Sequence, residues 1–183
     1  MKKIGVFLAD GFEEIEGLTV VDILRRAGME AEMISIMGRK EICGSHKIAV
    51  QADALYEDVD FAGLDGVVLP GGMPGTLNLG AHTGVNETVK SFASEGKLVA
   101  AVCAAPSVLG QAGLLQGKKA TCYPGYEDKL AGAKVVYEEV AEDGNIITSR
   151  GMGTTIAFAL RITAYLAGEE KARELADKII YKQ

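Results

Sequence analysis

Tryptophan is absent from this 183-residue sequence, and aromatic residues make up only 6% of it. A chain so poor in flat side chains offers no stacking platform for single-stranded nucleic acid. Positive charge is also scarce: 19 Lys and Arg stand against 25 Asp and Glu, for a formal net charge of -6. Phosphate backbones are held by clustered basic surface, so no nucleic-acid partner is expected. There are only two histidines and no C-x-x-C pair, so Cys43, Cys103 and Cys122 match no zinc spacing and no metal is expected. Three cysteines cannot all pair within one chain, and reduced, intracellular thiols are the natural reading. Neither a G-x-G-x-x-G fingerprint nor a Walker loop occurs, and no cofactor is expected. The apolar run at the amino terminus is too short for a secretory signal and lacks a small-residue cleavage site. The uncharged stretch 98–117 has the length of a membrane span, but Pro106, Gly110, Gln111 and Gly113 interrupt it. A buried strand running into a buried helix accounts for it better. A soluble, cytoplasmic protein is expected.

Hydrophobic residues reach 48% and charged residues 24%, close to the globular average and far from a disordered composition. The length fits one domain, residues 1–183, that buries roughly 70% of the surface its unfolded chain exposes. Twenty-three glycines against four prolines suit many tight turns between strands and helices. Strand-like segments fall at 3–9, 31–36, 65–69 and 97–102, with shorter ones at 120–122, 134–137 and 145–148. Helical patterns fall at 14–27, 85–95, 104–115, 154–167 and 169–180. Residues 41–53 read as an irregular hairpin turning at Gly44-Ser45. Strands that are apolar throughout are covered on both faces. Interleaved with helices, they predict an α/β fold with a mostly parallel central sheet between helical layers. Ligands in such sheets gather beyond the carboxyl ends of the strands, where the strand order reverses. That singles out the turns at 10–16, 70–75 and 103–106.

Cys103 stands between the apolar run Lys97-Leu98-Val99-Ala100-Ala101-Val102 and Ala104-Ala105-Pro106. A residue where a strand hands over to a helix sits on a sharp turn that small neighbours permit, the logic of a nucleophile elbow. Pro106 suits the first helical turn. A thiol at the positive end of that helix is expected to be exposed and to ionise below the unperturbed value of about 8.5; a small buried core cysteine is the alternative. Both His46 and His82 precede Cys103, which removes the arrangement with a histidine base downstream. Carboxylates remain, and Glu16 opens a helix aimed back at the sheet edge. A buried Glu16 that keeps its proton and shares it with the sulfur suits the thiol best, because an ionised one would raise the thiol's pKa. Glu13 and Glu14 read as first-turn carboxylates stabilised by the helix dipole. Pro70-Gly71-Gly72 supplies backbone N–H groups that suit an oxyanion. Arg150-Gly151-Met152-Gly153-Thr154 reads as a capped helix start.

Four motifs, in order along the whole chain, carry a resemblance. They are Asp10-Gly11-Phe12-Glu13-Glu14-Ile15-Glu16, Val67-Val68-Leu69-Pro70-Gly71-Gly72, Ala100-Ala101-Val102-Cys103-Ala104-Ala105-Pro106 and Thr148-Ser149-Arg150-Gly151-Met152-Gly153-Thr154. The sequence resembles the ThiJ/PfpI family, in the branch of Parkinson disease protein 7 and the bacterial deglycase YajL. That resemblance implies a flavodoxin-like three-layer sandwich and a homodimer. It makes Cys103 an oxidation-prone nucleophile, Glu16 its hydrogen-bonded carboxyl partner, and Gly72 and Ala104 the donors of an oxyanion site. Arg26 and His46 match positions near the dimer interface that border the cysteine, the second often an arginine in the family. Ala104 stands where the protease branch has histidine, which argues against a peptidase. Tyr123 stands where some members place a histidine near the thiol, so any assisting base stays open.

Three functions follow from this resemblance. The first is cofactor-free chemistry on 2-oxoaldehydes such as methylglyoxal and glyoxal, or on their early adducts with protein side chains. The second is a redox sensor or redox-regulated chaperone that uses an oxidisable cysteine without turnover. The third, thiamine-precursor synthesis, has no phosphate or nucleotide motif behind it.

Overall fold

The computed structural model describes residues 1–181. Four strands are buried along nearly their whole length: β1 (Lys3–Leu8), β6 (Gly66–Leu69), β7 (Leu98–Val102) and β11 (Ile146–Ser149). With β2 (Glu30–Ser35), β5 (Ala54–Leu55) and β10 (Val140–Asp143) they form a seven-stranded sheet in the order β10-β11-β7-β6-β1-β2-β5. Every pairing in it is parallel except β10 with β11. Two small ladders lie outside it. One is the antiparallel hairpin β3 (Glu41–Cys43) with β4 (Ala49–Gln51), and the other is the parallel pair β8 (Lys119–Ala120) with β9 (Lys134–Val135).

Alternate residues of each strand feed opposite faces. Ile4, Val6 and Leu8 join Val68, Ala100 and Val102 on one side, packed with Val20, Leu24, Phe158 and Ile162 from α1 (Glu14–Arg26) and α5 (Thr155–Ala167). Phe7, Val67, Leu69, Val99 and Ala101 face the other way, onto Leu79, Val89 and Leu109. Those three belong to α2 (Gly75–Ala81), α3 (Thr83–Ser94) and α4 (Pro106–Gln111). The last helix, α6 (Glu169–Lys178), adds Leu175 to the first side. The result is the expected three-layer α/β arrangement with its mostly parallel central sheet.

The elements differ from expectation where they are short. α2 went unread because seven residues between Pro74 and His82 show too little of a 3.6-residue period. β10, at the antiparallel edge, carries Glu142 and Asp143 among its four residues and lacks the apolar run of its neighbours. The helix expected over 104–115 is only α4, because Cys103, Ala104 and Ala105 make the turn before it. Among the described residues no helix is long and apolar enough to cross a membrane; the uncharged stretch is β7, this turn and α4. His82 accepts a hydrogen bond from Val85 N–H at the start of α3 and packs on Tyr56.

From β1 the chain steps to β2 on one side, and from β6 to β7 on the other, although β1 and β6 are neighbours. The order therefore reverses between them. The turns after β1, β6 and β7 meet at that point, on the carboxyl edge of the sheet.

Candidate functional site

Cys103 follows β7 directly and holds φ at 64°, in the left-handed region. A non-glycine residue there costs roughly 1–2 kcal/mol. The turn is tied on both sides: Cys103 N–H donates to Ser149 O at 3.0 Å, and Tyr123 N–H donates to Cys103 O at 2.8 Å. This is the elbow geometry expected from the small residues around it, with the side chain half-buried rather than fully open.

Glu16 sits in the first turn of α1 and is buried, 1% exposed. Its Oε2 accepts the Gly71 N–H at 2.8 Å, and its carboxyl is hydrogen-bonded to the Cys103 thiol. Gly71 is the floor on which the two meet. A Cβ built there would stand 2.6 Å from Glu16 Oε2 and 2.7 Å from Cys103 Cβ, so no larger residue fits without separating the pair. Gly72 turns at φ +90°, and a side chain on it would overlap Glu13 N. The backbone N–H groups of Ala104 and Gly72 lie against the sulfur. Thus the three turns singled out beforehand do converge. Gly71 was passed over as a site residue; the Gly-Gly pair was the signal for it.

Burial pushes the Glu16 carboxyl up from 4.5 to about 7, against the hydrogen bonds from Cys103 and Gly71 that favour its charged form. Burial also pushes the Cys103 thiol up to about 12, and the charge of an ionised Glu16 adds to the rise; the Ala104 and Gly72 N–H groups oppose it. The expectation of a thiol ionising below the ordinary value is therefore corrected. Desolvation and the neighbouring carboxylate outweigh the turn's backbone dipoles. The two groups titrate as a unit, giving up one proton near 7 and holding the other to about 12. Between those values one proton is shared, and the sulfur carries charge when that proton rests on Glu16.

Three other residues were expected to border the cysteine. Tyr123 is half-exposed; its backbone braces the elbow, while its ring lies over Gly151. Arg26 occupies the far end of α1 from Glu16, about 15 Å along the helix axis, and pairs with Asp22 at 2.6 Å. Within this chain it is not brought to Cys103. Nor is His46, whose ring meets Glu13 and Glu14 instead. Glu14 is likewise more than a first-turn carboxylate: it is 4% exposed and gripped by the loop after β3. Arg150–Thr154, read as a capped helix start, is a single 3-10 turn leading into α5: Thr154 Oγ1 accepts the Gly151 N–H at 3.0 Å and the Thr154 and Thr155 hydroxyls face Gly151 O, but no side chain among the described residues caps α5 itself.

A three-layer α/β sandwich with a cysteine elbow and a buried glutamic acid at the sheet's reversal point defines a class of protein. Residues 2–165 match the DJ-1/PfpI family, and the chain belongs to it. Protein dj-1beta of Drosophila melanogaster is 39% identical over 177 residues, covering 96% of this chain and 95% of its own length. A deglycase of Pyrococcus abyssi is 36% identical over 156 residues, covering 84% of this chain and 92% of its own. Oxidised DJ-1 of Toxoplasma gondii superposes with a TM-score of 0.96 at 34% identity, over all of both chains. The chain spans only 42% and 47% of the lengths of two DJ-1 homologues of Arabidopsis thaliana.

Proposed function

We propose that this protein is a cysteine-dependent, cofactor-free enzyme acting on 2-oxoaldehydes such as methylglyoxal and glyoxal, or on their early adducts with protein side chains. One observation carries the reading. The Cys103 sulfur lies between a carboxyl group able to hold or release a proton near neutrality and two backbone N–H donors. The deglycase name of the Pyrococcus abyssi relative supports it.

In the proposed reaction the Cys103 sulfur attacks the aldehyde carbon of methylglyoxal as Glu16 keeps the shared proton. The new oxyanion is met by the Gly72 and Ala104 N–H groups, and its protonation gives a hemithioacetal. Glu16, now ionised, removes the proton from that carbon and returns one to the neighbouring carbon, through an enediol. The first carbon is oxidised to a thioester as the second is reduced to an alcohol, so no external oxidant is consumed. Water then cleaves the thioester, releasing the 2-hydroxy acid and the free thiol. On an adduct, the same attack would expel the amine or thiol of the damaged side chain.

The test is conversion of methylglyoxal to lactate by the purified protein, followed by proton NMR, in wild type and Cys103→Ala. Lactate that forms only with Cys103 supports the reading. Methylglyoxal left unchanged by wild type, or lactate formed equally by Cys103→Ala, sinks it.

A second reading, redox sensing by Cys103, is favoured by the same buried carboxyl, since a protonated Glu16 suits the oxygen of a sulfinate. Intact mass after mild peroxide tests it: two oxygens confined to Cys103 support sensing, and an unmodified Cys103 refutes it. A homodimer is the proposed assembly and the cytoplasm the proposed location, the first checked by sedimentation equilibrium.

A further inference from the structure

We propose that Glu13, Glu14 and His46 form a binding site for a divalent transition-metal ion of the zinc class, separate from the Cys103 thiol. His46 Nδ1 lies 3.1 Å from Glu14 Oε2 and 3.4 Å from Glu13 Oε2. One donor atom from each residue falls within 4.8 Å of the others. Metal–donor bonds of about 2.0–2.2 Å place neighbouring ligands about 3.0–3.5 Å apart, for octahedral or tetrahedral geometry. Both edges that meet at the imidazole therefore already have coordination length, and the two carboxylates need only close on the cation from within 4.8 Å of each other.

The site is built rather than a chance meeting of surface chains. Glu14 is nearly fully buried, and its Oε1 accepts the backbone N–H groups of His46 at 2.7 Å and Ile48 at 3.4 Å. Those bonds fix the carboxylate and leave Oε2 turned toward the imidazole, as outer hydrogen bonds orient a metal ligand. Gly44 permits the arrangement, since a side chain there would overlap the Glu14 carboxylate. Ser45 Oγ lies 3.2 Å from Glu13 Oε2, 3.2 Å from Glu14 Oε2 and 3.0 Å from His46 Nδ1. Its hydroxyl has a single proton to offer the two carboxylates, whereas one cation answers both carboxylates and the ring together. In the single chain the His46 side chain is 69% exposed, which leaves the outer side of the site open to further ligands. A donor set of one imidazole nitrogen and two carboxylate oxygens suits Zn²⁺, Co²⁺ or Mn²⁺ rather than the thiolate-seeking ions.

The experiment titrates the full chain with zinc chloride by calorimetry and with cobalt chloride by visible absorption. The proteins are wild type, His46→Ala, Glu13→Gln, Cys103→Ser and Cys43→Ser, each checked for folding by circular dichroism. We expect one ion per chain, an affinity untouched by either cysteine change, and losses of about tenfold or more in His46→Ala and Glu13→Gln. The proposal is overturned if wild type takes up no ion at millimolar zinc, or if His46→Ala binds as tightly as wild type. Loss of binding in Cys103→Ser or Cys43→Ser overturns it too, by assigning the ion to a thiol.

Discussion

Glu16 and Cys103 are held so close, and so far from water, that neither can change its charge without altering the other. The sign of the effect on stability follows from Glu16. Its folded value, about 7, lies above the ordinary 4.5, so the folded state keeps a proton that the unfolded chain has released. Its stabilising contribution is complete below about pH 4.5, falls as pH rises to about 7, and is level beyond. The full change is roughly 3 kcal/mol. Glu16→Gln cannot ionise and should lack this loss. Urea unfolding at pH 4.5 and pH 8 is therefore predicted to show the variant gaining on wild type at the higher pH; a constant offset between the two would contradict the prediction. Gly71→Ala tests the geometry alone. Its methyl group would force apart Glu16 Oε2 and the Cys103 Cβ, and a displacement near 1 Å costs about 100-fold in rate. Methylglyoxal turnover should fall by about that factor while the fold persists, and unchanged turnover would mean the pair need not touch.

Among the strands of the sheet, the most legible in the sequence were those buried on both faces. β6 and β7, and β1 after Lys3, announce themselves as unbroken apolar runs, because each residue has a core to enter on one side or the other. α2, β5 and β10 were not legible: a seven-residue helix and two- or four-residue edge strands owe their form to neighbours rather than to a pattern of their own. Phe7 measures what a central strand contributes. It is 0% exposed and packs against Tyr56 and Phe61 with ring centroids 6.0 and 6.2 Å away. Phe7→Ala should cost about 3–5 kcal/mol in denaturant unfolding. A loss below about 1 kcal/mol would mean that this aromatic cluster collapses to fill the gap.

Across the whole molecule, two cores share one sheet, and the sheet's reversal brings together turns that lie far apart in sequence. Cys103 and the Gly-Gly turn were legible because each marks a strand end, and Glu16 because it opens the helix after β1. Their meeting follows from the parallel sheet itself. The charge state of the pair was only half legible: a shared proton was foreseen, but the depth of burial that holds the thiol's proton depends on how the turns pack. The convergence of Glu13 and Glu14 with His46 was hidden, since it depends on the path of the loop between β3 and β4 over the start of α1. No periodicity in the sequence records that path.

The shared proton is tested most directly by alkylating Cys103 across the pH range and following its peptide by mass spectrometry, in wild type and Glu16→Gln. Wild type should gain reactivity in two steps, near 7 and toward 12, as the pair loses its protons in turn. Glu16→Gln should lose the first step. A single step near the ordinary thiol value of about 8.5, alike in both proteins, would contradict it.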